Sequence, residues 1–131
     1  MSRIKLIFSI IGTDWKPEGL NALLRSIDRK NVYIRIDGKI VEWEYSEVFF
    51  ETYDSDFVME SFLNEMDKYA IVIHEWCKEH CLKVKTKIIS EAKISLTPSF
   101  SLSSQMIKFL NKTDSEIDFG LSILTEKEYE R

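Results

Sequence analysis

The chain has 131 residues, a formal charge of −4 and 44% apolar residues, with only four glycines and two prolines. This length and apolar content suit one domain with its own core, and they exclude a disordered chain and a glycine-rich phosphate-binding fold. The acidic balance argues against a nucleic-acid surface, which needs clustered Lys and Arg against phosphate, and fits a basic partner better.

Residues 3–11 alternate as a strand, with Ile4, Leu6, Phe8 and Ile10 on one face. Ile7 and Ile11 make the other face partly apolar, as in a central strand. The run is too short to span a membrane, and Gly12-Thr13-Asp14 stands where a signal peptide would continue. The expectation is a cytoplasmic chain with no membrane partner. A turn follows, with Pro17 at the first helical position. Leu20, Leu23, Leu24 and Ile27 then form the stripe of a short amphipathic helix.

The stretch "NVYIRIDGKIVEWEY" reads as a β-hairpin about Asp37-Gly38, a pair suited to a type I′ turn. That loop sets Ile36 opposite Lys39, Ile34 opposite Val41 and Val32 opposite Trp43. One face then holds Val32, Ile34, Ile36, Val41, Trp43 and Tyr45, and the other holds Tyr33, Arg35, Ile40, Glu42 and Glu44. Residues 47–53 suit a further strand.

A helical pattern begins near Asp56, capped by Asp54 or Ser55, and runs through Met59, Phe62, Leu63, Met66, Tyr69, Ala70, Ile73, Trp76 and Cys77 to about residue 80. Ile71 falls on the polar side of that wheel and marks either a break between two helices or a contact surface. Leu82, Val84 and Ile88 then alternate with Lys83, Lys85 and Lys87, a strand with a basic face that blunts an edge or pairs with acids alongside. Residues 92–100 alternate again, with Pro98 suited to an edge or strand end. Ser103 caps a last helix, with Leu102 and Ile107 placed as a hydrophobic staple. Residues 116–124 close the domain as a strand with Ile117, Phe119, Leu121 and Ile123 inward. Both ends run strand, short helix, strand, a shape-level β-α-β pseudo-repeat.

The expected fold is therefore α+β: a mixed, mostly antiparallel sheet carrying three or four helices. Residues 1–124 form a single domain and 125–131 a charged tail.

Two stretches carry candidate chemistry. "HEWCKEHC", residues 74–81, holds the chain's only histidines and cysteines. His74, Cys77 and Cys81 could share a helical face, so three zinc ligands are conceivable. Lys78 breaks the H-E-x-x-H pattern, no second Cys/His pair exists, and the C-x-x-x-C spacing excludes a redox C-x-x-C. Cys77 also continues the apolar stripe, so two reduced core thiols are the simpler reading, and no cofactor is expected. No nucleophile elbow, phosphate loop or dinucleotide fingerprint is present, so no catalytic residue is named.

The second stretch, "EWEYSEVFFETYDSDF", packs acids among aromatics, and no Lys or Arg occurs between positions 42 and 67. Aromatic anchors within a field of one sign suit capture of a basic protein, and the candidate partner-binding residues are Glu42, Glu44, Tyr45, Glu47, Glu51, Tyr53 and Asp54. The plainer alternative is a strand pair with one wet acidic face and one dry aromatic face.

The opening "FSIIGTDWKPEGLNALL" and the ending "FSLSSQMIKFLNKTDSEIDFGLSIL" resemble the two ends of a bacterial family catalogued as domain-of-unknown-function family 4279. The shared pattern is a strand, a Gly-Asp turn, a Pro-started Leu-rich helix, and at the close a Leu-Ser helix start followed by an Ile-Asp strand. The resemblance implies an α+β fold, a small bacterial cytoplasmic protein and, by association, an immunity role in toxin systems. It carries no catalytic residues. The family's Pro-containing basic stretch after the first helix is not matched, because residues 25–30 are shorter and lack Pro. The leading expectation is a non-catalytic, immunity-like protein that neutralises a basic toxin domain. The alternatives are a small-ligand sensor domain and a zinc-dependent enzyme.

Overall fold

The computed structural model describes residues 3–47, 50–51, 55–93 and 101–124. Six strands, β1 (Arg3–Thr13), β2 (Val32–Asp37), β3 (Ile40–Ser46), β4 (Phe50–Glu51), β5 (Lys83–Lys93) and β6 (Glu116–Leu124), form one sheet. Its order is β2-β3-β1-β5-β6, with the short β4 beside the start of β1. Four helices, α1 (Pro17–Leu23), α2 (Ser55–Met66), α3 (Ala70–Glu79) and α4 (Ser104–Thr113), complete an α+β fold. Among the described residues, the β5–β6 pairing is parallel and the other pairings are antiparallel.

The alternation of β1 places it as expected, in the middle of the sheet between β3 and β5. Ile4, Leu6, Phe8 and Ile10 are buried in one cluster with Trp43, Phe62, Met66, Ile73, Ile88 and Phe109, so the helices cover one face of the sheet. The rings of Phe8, Phe62 and Phe109 meet at 5.2–5.6 Å in tilted or edge-on contacts, which favour aromatic packing beyond area alone. On the opposite face Ile7, Ser9 and Ile11 are half-buried, and Lys83, Lys85 and Lys87 are exposed. The lysine strand is no edge: β6 flanks it, and the register sets Lys85 beside Glu116 and Lys87 beside Asp118.

Two tryptophans fix α1 and its entry turn to β3. Trp15 Nε1 donates to the Val41 carbonyl at 2.8 Å, and Trp43 Nε1 donates to Asn21 Oδ1 at 2.8 Å. Pro17 stands at the helix start, but the helix ends at Leu23, where Leu24 leaves helical geometry. Ile27 is buried from beyond the helix, and Leu23, expected on the apolar stripe, is exposed.

The turn of the hairpin lies one residue later than expected, so each cross-strand partner shifts by two. Asp37 pairs with Ile40, Ile36 with Val41, Ile34 with Trp43 and Val32 with Tyr45. Gly38 takes φ +62° as the first central residue, while Lys39 stays out of the positive-φ region, as in a type II′ turn. Both registers keep the same residues on the same faces, so face membership holds. Burial does not: β2 overhangs the helices, and Ile36, expected inward, is 70% exposed.

The long helical pattern divides into α2 and α3, separated by a 3-10 turn over Asp67–Tyr69. Ile71 lies just after that turn and is 64% exposed, so the break accounts for its place on the wheel. Ser55 opens α2, and its hydroxyl donates to the Ser101 carbonyl. Ser103 caps α4 by accepting from the Met106 N–H at 3.1 Å. β6 has the expected limits, but Phe119 and Leu121 lie beyond the helical cover and are exposed, leaving Ile117 to pack on the core. Of the alternating stretch 92–100, residues 92–93 extend β5 and 94–100 lie outside the described residues. The tail at 125–131 and the side chain of Ile123 lie outside them too. No described helix is long and apolar enough to cross a membrane.

Candidate functional site

Strand alternation divides the acidic, aromatic stretch between two faces. Glu42 and Glu44 share the helix-free face with Arg35, whose guanidinium lies 3.8 Å from one carboxylate and 3.5 Å from the other. Glu44 is only 7% exposed, so it offers little to a partner. Tyr45 points the other way and is 2% exposed, which removes it from the candidate surface. Its hydroxyl donates to Glu47 Oε1 at 3.3 Å. Burial first, then the charges of Glu47 and Glu65, holds that phenol well above the usual tyrosine range. Glu47 also accepts from Ser61 on α2 at 2.9 Å, so it stands on the helix side of the sheet. The side chain of Glu51, and all of Tyr53 and Asp54, lie outside the described residues.

A surface missed by the strand-centred reading begins one element later. Asp56, Glu60 and Asp67 are exposed on α2 and the turn that ends it, with Glu65 half-buried nearby. Positions 56, 60, 64 and 67 follow helical spacing and so form one stripe. Phe57 adjoins it, 54% exposed, with its ring edge-on to Phe50 at 5.4 Å. The spacing of these acids and the lack of Lys or Arg were the available signals.

"HEWCKEHC" is the end of α3 and its cap. Cys77 is buried, and burial pushes its thiol up to about 12. His80 stacks on Trp76 at 4.1 Å, and its Nδ1 lies 3.0 Å from the Trp76 carbonyl oxygen. Cys81 is not on the helix. It takes φ +55°, and the following Leu82 N–H returns to the Cys77 carbonyl at 2.8 Å, the closing bond of a Schellman cap. The left-handed residue turns the second thiol to solvent, so the expectation of two core thiols holds for Cys77 alone. Among the described residues, no three His, Cys, Asp or Glu side chains stand where they could hold a metal. His74, Cys77 and Cys81 are therefore not brought together as a ligand set.

His74 and Cys77 instead line a cleft of about 540 Å³ with Lys78, Leu82, Lys83, Val84, Thr113, Asp114 and Glu116. Two helix-cap-strand units build it. α4 ends as α3 does: Asp114 takes φ +52°, and the Ser115 N–H returns to the Leu110 carbonyl at 2.9 Å. β5 and β6 then leave the two caps side by side and parallel.

No protein-family model, curated protein or solved structure matches this chain.

Proposed function

We propose that this chain is a non-catalytic protein-binding module, an immunity-like inhibitor that covers a basic surface of a toxin-type partner. The observation that carries the reading is the stripe of Asp56, Glu60 and Asp67 beside the exposed ring of Phe57, in a segment without one Lys or Arg. An aromatic anchor supplies apolar contact, and carboxylates of one sign accelerate capture of a cationic partner. Glu65, half-buried on the same helix, adds a further carboxylate to the region. Glu42 and Glu44 contribute less, because they share the Arg35 guanidinium and Glu44 is buried.

The test is capture of partners from the native host with the tagged chain, run beside Glu60→Lys and Glu44→Lys variants. The expected result is a basic protein held by the parent chain and by Glu44→Lys, lost by Glu60→Lys, with association that slows as salt rises. Equal recovery by both variants, or no stoichiometric partner, would overturn the proposal.

A further inference from the structure

We infer that the cleft between the two helix caps is a second site, independent of the acidic stripe, and that it takes a small zwitterion: an α-amino acid or short peptide with both termini free and an apolar body. The juxtaposition of charge carries this inference. The α3–β5 unit brings Lys78 and Lys83 to the cleft, and the α4–β6 unit brings Asp114 and Glu116. None of these four side chains makes an ion pair or hydrogen bond within the described residues. Like signs are thus grouped by unit, and opposite signs meet across the cleft without neutralising each other.

Between them the wall is largely apolar, with the half-buried His74 as its one imidazole. Cys77, Val84 and Thr113 are buried and Leu82 is half-buried. The Thr113 hydroxyl is spent on the Phe109 carbonyl at 2.9 Å, and the raised Cys77 thiol stays protonated. The caps bind the Trp76 and Cys77 carbonyls of α3 and the Leu110 and Asn111 carbonyls of α4, which leaves the charged side chains as the strongest polar groups of the cleft. A volume near 540 Å³ falls in the range of small-molecule sites. A ligand carboxylate would face Lys78 and Lys83, its ammonium would face Asp114 and Glu116, and its body would lie on Leu82 and Val84.

The experiment is an NMR amide titration of the full chain with leucine, glycyl-leucine, N-acetylleucine and leucinamide. Saturable shifts at Cys77, Leu82, Val84 and Thr113 with leucine or glycyl-leucine would support the inference. Loss of either charge, in N-acetylleucine or leucinamide, should weaken binding by about tenfold or more, the scale of one charge-assisted hydrogen bond. Lys83→Met and Glu116→Gln, both at exposed positions, should each weaken the zwitterion similarly while leaving the folded spectrum intact. Equal binding of all four compounds, or no saturable shift with any of them, would overturn it.

Discussion

Replacing Cys81 with glycine is expected to stabilise the protein, although it deletes one of the residues that most invites a metal reading. At φ +55° a residue with a β-carbon meets a steric cost of about 1–2 kcal/mol, which glycine avoids. Glycine's greater freedom in the unfolded chain returns about 0.5–1 kcal/mol of that gain. The net runs from about 0 to 1.5 kcal/mol and centres on about 0.8 kcal/mol in favour of the variant, or about 2–4 °C in Tm for a domain of this size. The cap bond from Leu82 to the Cys77 carbonyl is a backbone bond and survives the change. Urea denaturation in reductant, with one arm in chelator and one in added zinc, reads the effect. Cys81→Val supplies the opposite sign, since a β-branched residue at positive φ should lose about 1 kcal/mol or more. Two results would refute the reasoning. One is a Cys81→Gly protein less stable than the parent. The other is a parent whose stability rises with zinc while the variant's does not, which would make the thiol a ligand.

Cys77 should resist alkylation in the folded state at pH 8 while Cys81 reacts, as mass spectrometry after brief iodoacetamide treatment would show. Its raised pKa also has a definite pH signature. Between the ordinary thiol value and about 12, the unfolded chain has lost this proton and the folded one retains it, so stability falls as pH rises. The contribution is at most about 1.4 kcal/mol per pH unit, and urea midpoints of Cys77→Ala should lack that part of the alkaline slope. Trp43→Phe strands Asn21 Oδ1 beside a fully buried ring and should lose about 1–3 kcal/mol in urea unfolding. A β-carbon on Gly19 would lie 2.5 Å from Trp76 Cη2, so Gly19→Ala should shift Trp76 emission and destabilise by about 1–3 kcal/mol; an unchanged spectrum would mean that α1 and α3 are not in that contact.

Periodicity reports which residues share a face, and those assignments survive in the structure even where their consequences do not. The hairpin is the clearest case. A II′ turn with Gly38 first, instead of an I′ turn at Asp37-Gly38, moves each cross-strand partner by two residues, and an even shift leaves Val32, Ile34, Ile36, Val41, Trp43 and Tyr45 together. Whether a shared face is covered depends on helices brought from elsewhere in the chain. Ile36 and Leu121 are therefore exposed despite apolar patterns that Trp43 and Ile117 satisfy on the same side of the sheet. The cap at Cys81 was hidden for a different reason. Its usual marker is glycine, and here a cysteine occupies the left-handed position, so "HEWCKEHC" read as one continuous helical face. Asp114 hides the second cap in the same way. The two caps also bring residues 74–84 and 113–116 around one cleft, a meeting that depends on β5 and β6 running parallel. The local pattern of either segment alone holds no sign of it. The acidic surface lay within reach of the sequence, once strand alternation is applied to positions 42–47 and helical spacing to 56–67. Applied separately, the two periods divide one charged stretch into a sheet patch paired with Arg35 and an exposed helix stripe, and the proposed capture of a cationic partner rests on the stripe.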